Sequence, residues 1–309
     1  MYMLGQKREP TMRISDFDLQ AVRVFVSVAR HEGFARAQLE LNMSQPAISL
    51  KIKALESRLG FRLCQRGRSG FALTDKGQVV FDKARKFLES TEDFGNEISE
   101  LRSDLTGVLR VGFADCTITN RTYSPTRILS LFCTRAPSVY LKLSVCTTDE
   151  LNRGMRDGSL QVAFGPLVGR SVDLQYDDIF WEDHTLYCGR GHPFFEKSGI
   201  DDDMLAQTRF VTRSYLEGED ASAFHNHNVA ASVASMEAQA MLILTGRYIG
   251  YLPVHYARQW VWDGQMQAVD SGRYVSRSRF VVASRRTRET PKLVEAFLQS
   301  VKDAMPAIA

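Results

Sequence analysis

Residues 41–49 read LNMSQPAIS and join two helical patterns through a tight turn. Asn42 suits the turn, because asparagine tolerates a left-handed backbone conformation. Ser44 is a favourable N-cap for the second helix, and Pro46 falls in its first turn, where a missing N–H costs little. Further along, apolar residues recur at spacings of four, three and four, which predicts one buried stripe. The stripe consists of Ile48, Ile52, Leu55 and Leu59.

The opposite face of the second helix carries mostly small or polar residues. Such a face lets a helix enter the major groove of DNA and direct hydrogen-bond donors at base edges. Leu50 is an exception, since a leucine can touch a thymine methyl group but cannot hold phosphate or guanine. The alternative is an ordinary pair of solvated helices. The residues predicted to enter the groove are Ser44, Gln45, Pro46, Ser49, Leu50 and Lys53.

Residues 61–74 contain two short apolar segments around a turn with two glycines, which predicts a hairpin. Arg66 and Arg68 near its tip are predicted to hold the DNA backbone, the alternative being a solvated loop. Residues 36–86 contain 11 Lys and Arg against 4 Asp and Glu, a balance of +7, whereas the whole chain carries +3. A local positive field of this kind is typical of a phosphate-binding module. We therefore predict a winged helix-turn-helix domain over residues 13–74.

Residues 75–105 form one long helical pattern with apolar positions at alternating spacings of four and three, interrupted at Thr91. This is a heptad seam, which one isolated helix cannot bury. We predict that two copies pair through it, the alternative being that the helix packs on its own domain. A dimer would present two reading helices to a pseudo-palindromic operator. The residues predicted at the dimer seam are Val80, Ala84, Phe87, Phe94, Ile98 and Leu101.

The remaining two-thirds of the chain alternates between strand and helix patterns, which predicts a doubly wound α/β sheet. The predicted helices lie near residues 128–132, 151–155, 238–244 and 292–301. The predicted strands are 108–113, 139–145, 160–164, 186–188, 210–212, 248–252 and 280–282.

In doubly wound sheets, ligands bind beyond the carboxyl ends of the strands. Three polar loops meet that condition and form a candidate ligand-binding site. Arg213 could pair with an anionic ligand, whereas Asp115 argues against an exclusively anionic one. The threonines could instead serve only as helix caps. The candidate residues are Asp115, Cys116, Thr117, Thr147, Thr148, Thr212 and Arg213.

The composition, 44% hydrophobic and 24% charged over 309 residues, is that of an ordinary globular protein with two or three domains. The sequence has no apolar run of the length that a membrane span needs, and residues 1–12 lack the apolar core of a signal peptide. Five scattered cysteines without Cys-x-x-Cys spacing favour reduced thiols in the cytoplasm over a disulfide framework or a zinc site.

Two features could belong to an enzyme. Cys116 with a distant histidine could form a nucleophilic pair, and His225 and His227 could offer metal ligands. Neither comes with a base or an orienting carboxylate, and alternate residues of an extended segment point to opposite faces. We predict no enzymatic activity, no metal and no cofactor. A binding module that never touches DNA is the other alternative.

Residues 17–76 resemble the N-terminal region of LysR-type transcriptional regulators. The shared features are the run 41–49, the pairs Leu55-Glu56, Leu59-Gly60 and Leu73-Thr74, and Gly77. Leu50 and Ala35 depart from the family pattern, which usually has arginine and threonine at these positions. The resemblance implies a sequence-specific regulator in the cytoplasm that binds double-stranded DNA as a homodimer or homotetramer. RNA polymerase is a further partner that such a regulator could contact.

The C-terminal part is similar to the effector-binding half of the same family, which resembles periplasmic solute-binding proteins. Residues 107–112, 158–163 and 246–253 carry this likeness, with Gln161 replacing the usual aspartate. The resemblance implies two α/β lobes joined by two crossing strands, with a small-molecule effector, often an organic anion, in the cleft between them. We expect an effector-binding domain over 106–309, with lobe I at 106–167 and 272–309 and lobe II at 168–271.

Overall fold

The chain divides into two compact units, Met1–Glu92 and Asp93–Ala309, and the boundary falls inside a long helix. The sequence pattern marked that helix as a separate linker over 75–105. The structure, a computed structural model, describes residues 15–67, 70–100, 105–167, 169–216, 228–270, 272–288 and 290–305.

The first unit contains the predicted helix-turn-helix, the predicted hairpin and the first part of the long helix. Residues Ile48, Ile52 and Leu55 are buried, as the apolar stripe predicted. They pack against apolar side chains of the first helix, including Val24 and Phe25. The elements are α1 (Asp16–Arg30), α2 (Ala37–Leu41), α3 (Gln45–Leu59), β1 (Cys64–Gly67), β2 (Gly70–Leu73) and α4 (Asp75–Glu100).

The first turn of α4 lies directly against the backbone that leads into the hairpin. The Thr74 N–H donates to the carbonyl oxygen of Leu63 at 3.0 Å. A Cβ atom added to Gly77 would lie only 1.8 Å from that same oxygen. Glycine is therefore required here because of a close backbone approach.

The second unit is built on one mixed sheet. In the described residues the strand order is β4-β3-β5-β11-β6-β9-β7-β8, with β10 paired to β6. The strands are β3 (Gly107–Ala114), β4 (Val139–Cys146), β5 (Val162–Gly165), β6 (Leu174–Gly189), β7 (Phe210–Arg213), β8 (Val229–Val233), β9 (Ile249–Pro253), β10 (Met266–Ala268) and β11 (Val275–Arg285).

Helices flank this sheet and bury its apolar faces. The largest buried cluster includes Phe113, Phe132, Phe164 and Phe297. The four helices predicted from the sequence are all present. The helices are α5 (Pro125–Arg135), α6 (Thr148–Asp157), α7 (Asp202–Gln207), α8 (Met236–Leu244), α9 (Val254–Trp262) and α10 (Lys292–Ala304).

The sheet has two lobes that share two long strands. Strand β3 pairs in parallel with β4 and β5 in one lobe, and β7 pairs in parallel with β8 and β9 in the other. Strands β6 and β11 are antiparallel to each other and run through both lobes. The two-lobed α/β architecture is thus confirmed.

The two crossing strands are much longer than the sequence predicted. Only 186–188 and 280–282 were expected, whereas β6 extends over 16 residues and β11 over 11. Charged residues hid the strand pattern, because they pair across the two strands instead of facing an apolar core. Arg277 Nε lies 2.7 Å from Asp183 Oδ1, and Arg279 pairs with Asp178.

The last turns of α4 are attached to the sheet of the second unit through one carboxylate. Asp93 Oδ1 accepts hydrogen bonds from Arg110 Nη2 at 2.8 Å and from Gln161 Nε2 at 2.9 Å. Gln161 Oε1 in turn accepts from the Arg110 N–H at 2.9 Å. This explains the departure from the family pattern, because an aspartate at 161 could not donate to Asp93 and would repel it.

None of the helices in the described ranges combines the length and the apolar character needed to cross a bilayer.

Candidate DNA-binding surface and effector cleft

Helix α3 is held at both ends and along one side, which determines the face that it exposes. It begins after Ser44, with Pro46 in the first turn, and ends at Gly60, whose φ is +76°. Lys51 Nζ donates to Gln20 Oε1 of α1 at 3.0 Å, and Arg58 Nε lies 2.8 Å from Asp18 Oδ1. These polar contacts add to the buried stripe in fixing the rotation of α3 against α1.

The predicted groove-facing residues all lie away from that buried stripe. Ser49 is half-buried, Leu50 is 68% exposed, and Ser44, Gln45, Pro46 and Lys53 are exposed. Ser44 is the N-cap residue of α3, as predicted, although its hydroxyl makes no capping hydrogen bond to the helix. The preceding Asn42 adopts the left-handed conformation predicted for the turn, with φ of +46°.

The hairpin beside α3 has the predicted form. Strands β1 and β2 pair in antiparallel fashion, from Cys64 opposite Leu73 to Gly67 opposite Gly70. Phe71 packs edge-to-face on Phe34, with ring centroids 5.9 Å apart, which attaches the hairpin to the helical part of the unit. Arg68 and the side chain of Arg66 lie outside the described residues.

The predicted dimer seam on α4 divides into a covered part and an exposed part. Val80 packs against the core of the first unit and Ala84 is buried, so neither is free to face a second copy. This corrects the sequence expectation, because the start of the helix covers the α1–α3 core. Phe87, Phe94 and Ile98 are 39%, 63% and 46% exposed. Leu101 lies outside the described residues.

In the second unit, a small cavity opens where strands of both lobes end. Its wall includes Asp115 after β3, Arg213 at the end of β7, and Ser235 before α8. The free volume is about 20 Å³, which is enough for about one water molecule. The position agrees with the rule that ligands bind beyond the carboxyl ends of the strands.

Four of the seven predicted effector residues line this cavity, namely Asp115, Cys116, Thr148 and Arg213.

The other three predicted effector residues are not among those that line the cavity, and each makes a local hydrogen bond. Thr117 Oγ1 donates to the Ala114 carbonyl oxygen at 2.8 Å, and Thr212 Oγ1 donates to the Arg213 carbonyl oxygen at 3.4 Å. Thr147 is the N-cap of α6 in a capping box with Glu150. For Thr147 the alternative of helix capping is therefore the one observed.

The sequence interpretation missed several residues of the cavity wall. Glu182 and His184 come from β6, and Tyr215 and Met236 follow β7 and β8. The signal for the first two was an alternation, since residues 182 and 184 point to the same face of a strand. Their neighbours Trp181 and Asp183 are exposed, so polar residues occupy the buried face.

Glu182 is the most heavily coordinated acid of the cavity. Its Oε2 lies 3.0 Å from His184 Nε2, and its Oε1 lies 2.8 Å from His255 Nε2. Burial raises the pKa of Glu182, but the hydrogen bonds to the two imidazoles lower it below its usual value. Burial lowers the pKa of His184, so that side chain is neutral near pH 7. His255 is oriented by Thr119, whose Oγ1 lies 2.7 Å from its Nδ1.

Asp115 and Cys116 share the loop after β3. Asp115 Oδ2 accepts the Met236 N–H at 2.6 Å, at the first residue of α8. Burial raises the pKa of Asp115, and the nearby Glu182 charge raises it further. Cys116 has a left-handed backbone, with φ of +53°. Burial, together with Asp115 and Glu182, raises the pKa of its thiol well above the usual value.

Arg213 supplies the positive charge of the cavity. The residue is buried, with only 3% of its surface exposed. Arg213 Nη1 donates to the Tyr215 hydroxyl at 3.0 Å, and the guanidinium lies 5.4 Å from the centre of the same ring. These contacts hold the guanidinium at the cavity wall.

Two family models match the chain. The model described as "Bacterial regulatory helix-turn-helix protein, lysR family" matches residues 19–78, and "LysR substrate binding domain" matches residues 102–306. A curated relative, the HTH-type transcriptional activator BauR of Pseudomonas aeruginosa, is 36% identical over 303 residues, covering 96% of this chain and 99% of the relative. The chain belongs to the LysR family of transcriptional regulators.

Other relatives of this LysR-type regulator are more distant. The SDS degradation transcriptional activation protein of a Pseudomonas species is 32% identical over 183 residues, covering 57% of each chain. Among solved structures, "CbnR, a LysR family transcriptional regulator" is 21% identical with a TM-score of 0.66. Full-length CbnR "complexed with the target DNA complex" is 22% identical with a TM-score of 0.63. Each match extends over 93% of this chain and 99% of the CbnR chain, and both matches show that the fold is shared.

Family membership defines the two units functionally. The first is the DNA-binding module of a LysR-type transcriptional regulator, and the second is its effector-binding domain. The named relatives are regulators of transcription. Within the described ranges, no group of three or more His, Cys, Asp or Glu side chains is arranged to hold a metal ion. His225 and His227 lie outside those ranges.

Proposed function

We propose that this LysR-type regulator reads an operator through the exposed face of α3 and senses a small molecule in the cavity lined by Asp115 and Arg213. The observation that carries the proposal is the orientation of α3. Its apolar stripe is buried, so its polar face, with Lys53, is directed outward. A helix presented in this way can lie in a major groove.

Two copies would act together on the DNA. Phe87, Phe94 and Ile98 are apolar, exposed and spaced as a heptad seam on α4. Pairing through them would join two reading helices and favour a pseudo-palindromic operator. Dimers of this kind can assemble further into tetramers. A regulator of this kind works in the cytoplasm, where the DNA is, and RNA polymerase is the partner through which it would act.

Regulation, not catalysis, is the function we infer for the effector-binding domain. A nucleophilic cysteine needs a lowered pKa. The pKa of the Cys116 thiol is instead raised well above its usual value by burial and by the nearby Asp115 and Glu182 charges. The thiol is therefore protonated at neutral pH and is a poor nucleophile.

Footprinting of the purified chain on the DNA upstream of its own gene tests the proposed function. We expect a protected pseudo-palindrome with two half-sites. If a dimer makes six to eight phosphate contacts, log K should fall against log salt with a slope of roughly −5 to −7. A response to salt close to zero would argue against DNA binding as the main activity.

Replacing Lys53 by alanine removes an ammonium group that we expect to contact a base edge. The binding free energy for the operator should become about 1–3 kcal/mol less favourable, and the preference at one base position should be relaxed. Binding to unrelated DNA should change little. The measurement is a competition titration with operators mutated one position at a time. Lys302→Ala is a matched control, since it removes the same charge from an exposed position in the other unit. Equal losses on operator and unrelated DNA would show that Lys53 contacts phosphate only.

A further inference from the structure

At each of the two helix N-termini that border the cavity, a carboxylate of the chain itself accepts a backbone N–H. At α8, the Met236 N–H donates to Asp115 Oδ2 at 2.6 Å. At α6, the Thr147 N–H donates to Glu150 Oε2 at 2.8 Å, and the Glu150 N–H donates to Thr147 Oγ1 at 3.3 Å. Helix N-termini are where an anionic effector would be expected to bind. The positive ends of these two helix dipoles are therefore already partly offset by carboxylates of the chain, which makes them weaker sites for an anionic ligand.

The charges on the cavity wall are of both signs, with an excess of acid. Asp115 and Glu182 are carboxylates, Arg213 is a guanidinium, and His184 is neutral near pH 7. The two carboxylates are close enough for the charge of Glu182 to raise the pKa of Asp115, while the charge of Arg213 lowers it in turn. Buried acids that repel each other are stabilised by a cation placed near them.

Hydrogen-bonding capacity agrees with this charge distribution. A carboxylate has about four lone-pair directions, and the Met236 N–H uses one direction on Asp115. The guanidinium of Arg213 is a planar fork of N–H donors that matches a carboxylate, and one donor on its Nη1 is used by the Tyr215 hydroxyl. One side of the cavity thus accepts hydrogen bonds and the other side donates them.

We propose that the effector is a small zwitterion of the amino-acid type, whose ammonium group binds at Asp115 and whose carboxylate binds at Arg213. The inference rests on the proposed role of the cavity as the effector site. It replaces the simple organic anion that the family resemblance implied. The free volume of about 20 Å³ requires the lobes to part when a ligand enters, and a compact ligand needs the smallest opening.

Calorimetric titration of the purified full chain with matched ligands tests the proposal. The probes are α- and ω-amino acids of three and four carbons, together with the carboxylic acids and the amines of the same length. At least one amino acid should have an affinity about tenfold or more above that of the carboxylic acid and of the amine of the same length. Each of these two probes carries a single charge and leaves one charge of the cavity unmatched.

Two substitutions assign the ends of the ligand. Asp115→Asn should weaken amino-acid binding about tenfold or more and leave binding of the matching acid unchanged. The asparagine oxygen can still accept the Met236 N–H, so the start of α8 is preserved. Arg213→Lys should weaken amino acids and acids, but not amines, because lysine lacks the planar fork. Glu150→Gln is the matched control, since it neutralises a capping carboxylate that does not line the cavity.

Each outcome decides between specific alternatives. The proposal of a zwitterionic effector is wrong if a carboxylic acid binds as tightly as the amino acid of the same length. It is also wrong if Asp115→Asn leaves the amino-acid affinity unchanged. Failure of every amino acid to bind at about 10 mM would overturn it too. If an acid binds and Arg213→Lys weakens it, the cavity remains the effector site with a different ligand class. A ligand indifferent to both Asp115→Asn and Arg213→Lys would exclude the cavity itself, whereas DNA binding is tested separately by footprinting.

Discussion

A chain carrying both Phe87→Asp and Phe94→Asp is expected to be monomeric at micromolar concentration. The two phenylalanines are seven residues apart on α4 and are 39% and 63% exposed, so they lie on the same side of the helix. Burying one such side chain stabilises an interface by about 2 kcal/mol, and a dimer would bury four. An aspartate at each position removes this contribution and adds like charges across the seam.

DNA binding should fall with the loss of pairing. A second half-site on the same molecule raises the overall affinity by about 10²- to 10⁴-fold. The monomeric variant should therefore bind the full operator at least about a hundredfold more weakly. Sedimentation equilibrium measures the pairing, and titration of a labelled operator measures the affinity.

Val79→Asp is the control for this experiment. Val79 is also an exposed apolar residue of α4, with 60% of its surface accessible. It lies about 60–80° around the helix from Phe87 and Phe94. Its replacement should leave both the mass of the particle and the operator affinity unchanged. A dimer that survives the double substitution would show that α4 does not join the two copies.

Replacing Gly77 by alanine is expected to destabilise the DNA-binding unit by about 3 kcal/mol. The added methyl group would lie 1.8 Å from the Leu63 carbonyl oxygen, which is backbone and cannot rotate away. Helix α4 would have to move off the hairpin, which disrupts the packing of Val80 on the core. In a unit of this size, such a loss lowers Tm by about 12–24 °C.

The three tryptophans provide an internal reference for the Gly77 measurement. Trp181, Trp260 and Trp262 all belong to the second unit. Tryptophan fluorescence should therefore report an unchanged unfolding transition, while far-ultraviolet circular dichroism and operator binding report early loss of the first unit. A variant whose DNA-binding unit melts at the parental temperature would contradict the proposed clash.

Gly95→Ala is the matched substitution in the same helix. A Cβ atom at Gly95 meets nothing within 4 Å. Alanine is favoured over glycine in a helix interior by about 1 kcal/mol. Gly95→Ala should therefore stabilise α4 slightly, whereas the same change at Gly77 should be strongly destabilising.

The parts of the fold that were predicted correctly are those with a local signal. The spacing of Ile48, Ile52 and Leu55 was enough to orient α3, because helix periodicity is contained within 15 residues. The strands of the two lobes followed from short apolar runs. On α4 the heptad pattern predicted Val80 for the dimer seam, whereas Val80 packs against a core of distant residues that this pattern does not reveal.

The candidate effector cavity depends on pairing between distant segments, and only part of its wall was predictable. Asp115 and Arg213 were found because they follow strands. Glu182 and His184 were missed because the acidic surroundings of β6 conceal a strand whose pairing with β11 starts about a hundred residues away. The threonines illustrate a further ambiguity, since the same side chain can cap a helix or bind a ligand, and Thr147 does the former.

Strand β3 connects the two polar clusters of the second unit. Arg110 lies in its middle and Asp115 follows its last residue, about 17 Å further along an extended backbone. A strand paired on both sides resists stretching, so we expect a ligand that displaces Asp115 to shift Arg110 as well, together with the carboxylate of Asp93 that Arg110 holds. Phe94 is the next residue of α4, so we expect ligand binding in the cavity to shift the surface on which two copies would meet.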